Sequence, residues 1–276
     1  MSDARAVAVP VLTYHAMNVN GRAYADNDHV ALARDLDWLH AHDWRIVPLR
    51  TAVSALFDGG SPLPPRSCAI TFDDGSWFDW YDLDHPSHGR QRGMAGILRD
   101  FRDRHGADVH ATSFVIASPE ARAELDRSCM LGTGWWGHEW WAAAEAEGLV
   151  AIESHSFDHN HHTLAATAVR DGPKGRFDTI VDEAAAEAEI VAASRWLDDL
   201  LPMRRTRLFA YPYGQSSRFL REDFLPRRAA DHGLVAAFGT EPRAMRGTDA
   251  RWNLPRFVCG ADWRSVDELS RLLASA

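Results

Sequence analysis

The chain of 276 residues carries only three cysteines, Cys68, Cys129 and Cys259. The number is odd and no two lie close together, which argues against a disulfide framework or a cysteine-rich zinc site and for reduced thiols. Long hydrophobic runs are missing as well. No window approaches the ~18 consecutive apolar residues of a membrane span. The opening residues offer neither the apolar stretch nor the small-residue cleavage pattern of a secretory leader, so the expectation is a cytoplasmic protein. Basic charge is scarce: 30 Lys and Arg stand against 39 Asp and Glu, a net charge of −9. Nothing supplies the basic stripe that releases counterions from a nucleic-acid backbone, so nucleic acid is excluded as a partner. No repeat and no Pro/Ser/Gly-rich linker divides the chain, which reads as one domain over residues 1–276. Several catalytic signatures are absent too: the His-Glu-x-x-His zinc-protease pair, the Gly-x-Ser-x-Gly elbow and the P-loop. Residues 132–137 match the spacing Gly-x-Gly-x-x-Gly, but no strand precedes them and two tryptophans crowd the loop, so a dinucleotide site is rejected.

What the sequence has in excess is 14 histidines and 11 tryptophans, in a chain that is 46% hydrophobic and 25% charged. That composition can bury a core. Apolar β-type runs at 7–14, 68–72, 109–116, 149–152, 207–211, 235–238 and 254–258 alternate with helical periodicities at 29–42, 92–104, 138–147, 179–201, 219–232 and 266–273. The Ala-, Glu- and Leu-rich stretch 179–201 is the clearest helix, and Pro202 cannot continue it. Strands alternating with helices imply a parallel sheet. Seven such units predict an α/β fold, a distorted (β/α)7-type barrel, with an open doubly wound sheet as the alternative. In βα-barrels the chemistry sits at the carboxyl ends of the strands. Three of the predicted strands end in polar clusters.

The first cluster is Thr71-Phe72-Asp73-Asp74-Gly75. Two adjacent carboxylates at a strand end point in different directions, so one can face a metal while the other faces a water beside it. An ordinary Asp-Asp-Gly turn is the competing reading. The second is His155-Ser156-Phe157-Asp158-His159, continued by Asn160-His161-His162. Histidines four apart share one face of a helical turn, which suits two imidazoles on one Zn²⁺. Two histidines and one carboxylate, with a position left open, make a catalytic zinc pattern rather than a closed structural one. The third is Phe209-Ala210-Tyr211-Pro212-Tyr213-Gly214, a loop that can aim a backbone N–H at a ligand oxygen.

In this order the three segments resemble the polysaccharide deacetylase family, carbohydrate esterase family 4, with its NodB-homology fold. The resemblance runs from Val9-Pro10-Val11-Leu12-Thr13-Tyr14-His15 to Leu254-Pro255-Arg256-Phe257. It includes Val109-His110-Ala111-Thr112-Ser113-Phe114-Val115, and the ends are similar to the branch that holds poly-N-acetylglucosamine deacetylases. The resemblance implies Asp73 as general base and Asp74, His155 and His159 as metal ligands. It further implies that the Tyr213 backbone N–H holds the oxyanion and that Trp263 is the pocket tryptophan. Activity would be deacetylation of an N-acetylated (or O-acetylated) sugar or oligosaccharide. A divalent metal, Zn²⁺ first with Co²⁺ or Ni²⁺ as alternatives, would polarise the acetyl carbonyl and acidify the water that Asp73 deprotonates. Hydrolysis of a non-sugar amide by the same site, and an inactive carbohydrate- or metal-binding module, are the competing functions.

Two positions depart from the family pattern. Ala210 stands where the family carries an arginine, and Arg256 is the natural replacement. No histidine follows His232, so the family's usual acid is missing. His15, His161 and His162 are the candidates for that role. Trp77 and Trp80, beside the Asp pair, are expected to wall the substrate pocket with Trp263 and His15. The Trp140–Trp141 pair is expected to pack internally, and the polar stretch 79–93 to form a rim loop.

Overall fold

The computed structural model describes residues 7–169, 172–201 and 205–275. Seven parallel strands form the frame: β1 (Val11–His15), β2 (Ser67–Asp74), β3 (Ala111–Val115), β4 (Val150–Ser154), β5 (Leu208–Ala210), β6 (Ala236–Phe238) and β7 (Phe257–Val258). They lie in the order β6-β5-β4-β3-β2-β1-β7, with the short strand Arg45–Ile46 beside the start of β2. The sheet curls on itself. Leu254, just before β7, exchanges backbone hydrogen bonds with Ala237 and Gly239 at 2.8 Å each and so ties β7 back toward β6. The result is the α/β barrel of seven strands expected from the alternation, and not an open doubly wound sheet.

The period-two alternation of the strands decides what faces inward. Val11, Ala69, Phe114, Leu208, Ala236 and Phe238 share one cluster inside the curl. Leu12, Tyr14, Cys68, Ile70 and Phe72 belong to another cluster, packed under the helices α1 (Asp28–Ala41) and α3 (Met94–His105). On the inner face the threonines Thr13 and Thr71 bond to each other at 2.9 Å, and the register that pairs them also sets His15 opposite Asp73. Strand β5 pairs with β4 at a single position. The buried Glu153 carboxylate supplies the rest: it accepts the backbone N–H of Arg207 and Leu208 at 2.8 Å each and is ion-paired to Arg50.

The helices begin and end where capping chemistry places them. Asn27 caps α1 by accepting the N–H of His29 and Val30. Asp182 caps the helix at 183–200 (α6), so residues 179–181 stay outside it. This corrects the start expected from periodicity, because a side-chain oxygen that satisfies the first free N–H outweighs propensity. Pro202 lies outside the described residues, as do residues 1–6. Two helices went unforeseen, α2 (Leu49–Phe57) and α4 (Pro119–Cys129). The second has a legible start, with Ser118 as cap and Pro119 in the first turn. Stretch 79–93 contains a small hairpin, Leu83–His85 against Gly89–Gln91. Trp140 and Trp141 are wholly buried, with Trp141 at the start of α5 (Trp141–Glu147), in keeping with the packing role. Cys68 and Cys259 are buried thiols and Cys129 is an exposed one. Among the described residues no helix is long and apolar enough to cross a membrane.

Candidate active site

The carboxyl ends of β1 to β5 meet at a cavity of about 460 Å³ lined by His15, Asp73, Asp74, His155, His159 and Tyr213. Its most distinctive feature is backbone conformation. Among the described residues, seven other than glycine adopt positive φ, and five of them are here: Asp74, Ser156, His159, Asn160 and Tyr213. Left-handed conformations at such residues cost free energy and persist only where surrounding structure enforces them. Gly75 continues the turn after Asp74 at φ +76°, and a Cβ there would fall 2.5 Å from Cγ1 of Val115. Only glycine fits that close approach.

Asp74, His155 and His159 each present a ligand atom, all within 4.8 Å of one another. Nε2 of His155 lies 3.6 Å, and Nε2 of His159 3.7 Å, from Oδ1 of Asp74. These separations are too long for hydrogen bonds and suit atoms that share a central ion. The Nδ1–H of His155 donates to the Ala210 carbonyl at 2.9 Å, which leaves Nε2 as the free lone pair. Position 210 thus acts on the site through its backbone, whatever its side chain. Burial, with His155 second, lowers the pKa of His159 far below the ordinary histidine value, so the ring is neutral as a ligand must be. The donor set fits a divalent metal.

The expectation that His155 and His159 share a helical turn is corrected. Residues 155–160 form a loop outside any helix. The two rings meet because Ser156, His159 and Asn160 take left-handed conformations. Ser156 Oγ accepts the His159 N–H at 2.9 Å. The loop is also held from behind by Glu189, which sits in a single π-turn of α6. Its backbone carbonyl accepts the Phe157 N–H at 2.9 Å and its carboxyl meets the Asp158 N–H at 3.3 Å. Burial, then Asp158, pushes the Glu189 carboxyl well above the ordinary carboxylate range.

Asp73 lines the same cavity and is paired with Arg256. The guanidinium donates Nη1–H to Oδ1 at 2.7 Å and Nη2–H to Oδ2 at 2.9 Å, and both residues are buried. Burial alone would raise the Asp73 pKa. Arg256, with His155 and His15 adding to it, reverses that and holds the carboxyl well below the usual range. Tyr213, at φ +60° between Pro212 and Gly214, sets its ring edge-on to His159 with centroids 4.5 Å apart. His15 lines the cavity, its buried Nδ1 without a hydrogen-bond partner among the described residues. His161 also lines the cavity, whereas His162 is exposed and meets the His161 ring at a tilt, centroids 4.4 Å apart.

The tryptophan expectations need correction. Trp263 is buried on the outer side of β1, edge-on to Tyr14 with its indole N–H on Asp35 at 3.0 Å. Period two explains this: it packs with the outward-facing residues of β1, not the inward ones. Trp77 bonds Glu139 at 3.1 Å, Trp80 stacks on Trp140, and neither lines the cavity. The tryptophan that does is Trp136. It lies inside the Gly-x-Gly-x-x-Gly segment, and no sequence signal separates it from its neighbour Trp135.

A parallel barrel carries a two-histidine, one-carboxylate cluster and a buried Asp–Arg pair at its strand ends, a donor set that could hold a metal ion. The polysaccharide deacetylase sequence profile matches residues 60–236, and the chain belongs to that family. No curated protein sequence matches it. Its fold is shared by several solved structures. The Streptococcus pyogenes deacetylase PplD in complex with acetate aligns at TM-score 0.64 and 15% identity, over 97% of this chain and 99% of its own. IcaB from Ammonifex degensii aligns at TM-score 0.65 and 19% identity, over 96% and 97%. The BpsB deacetylase domain from Bordetella bronchiseptica aligns at TM-score 0.63 and 18% identity, over 91% and 96%.

Proposed function

We propose that the protein hydrolyses the acetyl group from an N-acetylated (or O-acetylated) sugar or oligosaccharide, with Asp73 as general base. The observation that carries this reading is a buried carboxylate, ionised by Arg256, adjoining three convergent metal-ligand atoms. The family membership and the fold shared with an acetate-bound deacetylase support it.

Asp74, His155 and His159 would hold the metal, and their mixture of two imidazoles and a carboxylate best matches Zn²⁺. When bound, the ion supplies a Lewis acid for the acyl carbonyl and for the attacking water. Asp73 takes the proton of that water. The Arg256 bonds fix the carboxylate's direction and keep it ionised, so it is free to accept at neutral pH. The Tyr213 N–H, presented by a left-handed turn, donates to the developing oxyanion, a contact of this type being worth about 3 kcal/mol. His15 delivers a proton to the departing amine. It faces the same cavity as Asp73, opposite it in the β1–β2 register, and keeps an unengaged ring nitrogen.

The test is Asp73→Asn, assayed for acetate release from chito-oligosaccharides alongside metal content. Metal is retained and turnover falls by about 10²- to 10⁴-fold, the usual contribution of a general base. Full activity in a metal-loaded Asp73→Asn protein would refute the assignment.

A further inference from the structure

The Gly-x-Gly-x-x-Gly segment 132–137 is anchored to α4. The Asp126 carboxylate accepts the N–H of Gly134 at 2.8 Å and of Trp135 at 3.1 Å, and the Asp126 carbonyl accepts the N–H of Gly132 at 2.8 Å. Arg122, itself buried, donates to the Trp136 carbonyl at 2.8 Å. From this base the segment grips residues 74–77 at two points. The Trp136 Nε1–H donates to the backbone carbonyl of Asp74 at 3.0 Å, and the Trp135 carbonyl accepts the Trp77 N–H at 2.8 Å. A further bond runs beside them, from the Trp77 indole N–H to Glu139 at 3.1 Å.

The turn between the two grips is one that has to be held. Asp74 sits at φ +78° and Gly75 at φ +76°, and an aspartate in that region stays there only where its surroundings enforce it. Of the two donors to the Asp74 carbonyl the indole is the nearer, since the Ile116 N–H is at 3.4 Å. The donor is fixed in its turn, because Trp136 is 5% exposed and packed with Ile116, Leu125 and Leu164. Holding the carbonyl limits rotation of the Asp74 backbone, and so the direction in which its carboxylate projects toward His155 and His159. His155 is aimed through its own ring, by Nδ1–H on the Ala210 carbonyl. Asp74 is aimed through its main chain.

We propose that Trp136 is a positioning residue for Asp74, with the loop 132–137 as the brace that keeps its indole N–H on the Asp74 carbonyl. The inference rests on Asp74, His155 and His159 as metal ligands and is independent of the substrate. Partners that orient metal ligands from outside are typically worth about 10- to 100-fold in metal affinity.

The test separates the N–H from the ring that carries it. Trp136 is replaced by benzothienylalanine, which keeps the shape of the indole with sulfur in place of the N–H, and, separately, by phenylalanine (Trp136→Phe). Asp126→Ala leaves Trp136 intact and loosens its anchor, and Asp74→Ala removes the ligand. Each metal-free protein is titrated with Zn²⁺ against a chromophoric chelator and with Co²⁺ by visible absorption. Zn²⁺ affinity falls about 10-fold or more in the benzothienylalanine protein and in Trp136→Phe alike, and the Co²⁺ spectrum shifts in both. Asp126→Ala moves both readouts in the same direction. Parent affinity and an unshifted spectrum in the benzothienylalanine protein overturn the positioning role, and a loss confined to Trp136→Phe assigns the effect to packing and overturns it too. Unchanged affinity in Asp126→Ala overturns the brace. Unchanged affinity in Asp74→Ala places the ion elsewhere and overturns the ligand assignment itself.

Discussion

Asp73 and Arg256 lie 183 residues apart in sequence and form a two-pronged ion pair inside the barrel, at 2.7 and 2.9 Å. Arg256 also donates its Nε–H to the Gly239 carbonyl at 3.1 Å, so the guanidinium is fixed on three sides. A fork geometry of this kind is what an ammonium cannot supply.

Arg256→Ala strands a buried carboxylate. Stability falls by about 3–5 kcal/mol, as for other broken buried pairs. In whatever fraction stays folded, burial acts on Asp73 with only His155 and His15 against it, so its pKa rises and the acid limb of kcat/KM moves to higher pH. Arg256→Lys restores charge without the fork and recovers only part of either loss. Chemical denaturation and a pH–rate profile read the two effects, and a profile unmoved in Arg256→Ala would remove the arginine from the mechanism.

His15→Asn tests the proton donor. The side chain lies outside the ligand triad, so Zn²⁺ affinity is expected to be retained. Turnover falls by about 10²-fold or more, and more steeply for amide than for activated ester substrates, whose leaving groups need no proton. Equal losses on both substrate types would transfer the donor role to His161.

Metal removal has a thermal signature. Zn²⁺ that binds the folded chain stabilises it by about 2.7 kcal/mol when present at a hundredfold excess over its dissociation constant. Adding Zn²⁺ to chelated protein therefore raises Tm, and His155→Ala abolishes that rise. A Zn²⁺-dependent rise that survives in His155→Ala would place the ion elsewhere.

Asp35 sets a pH dependence on the far side of β1. Tyr14, Tyr24 and Trp263 all donate to its carboxyl. Burial nevertheless raises its pKa to about 6, these hydrogen bonds opposing the rise. An unfolded aspartate titrates near ~4. Between these values the native state binds more protons than the unfolded state, so this group's contribution is fully present below pH ~4 and is lost as pH rises through about 6. The loss is on the order of 2–3 kcal/mol. Compared with Asp35→Asn, the parent should gain Tm as chelated protein is taken from pH 7 to pH 5. A constant difference between the two would show that Asp35 does not titrate in that range.

Much of this site is legible in the chain itself. Asp73, Asp74, His155 and His159 stand out because chemistry at barrel rims requires polar residues at strand ends, and because the Asp pair closes one apolar run while His155, with His159 four residues on, follows another. The seven strands are legible for a related reason: strands buried on both faces must be apolar almost throughout. Arg256 was inferable as a replacement cation because β7 ends the same sheet. Trp263 lies away from the expected pocket because sequence gives the alternation within a strand and not the face that a following loop residue will join. The 155–159 spacing suits a helical turn, whereas the left-handed conformations at Ser156, His159 and Asn160 have no compositional signal; the loop is held by Ser156, by Glu189 and by the carbonyls that Asn160 reaches.

The scarcity of cysteine and of basic charge, and the two carboxylates and two histidines in their order, are properties of the sequence alone. They favour a site built from oxygen and nitrogen donor atoms. Which carboxylate faces Arg256, which nitrogen of His155 is free and which tryptophan reaches the cavity depend on contacts between residues far apart in the chain. Local preference carries no information about those contacts. They exist only once the curled sheet has brought the strand ends together.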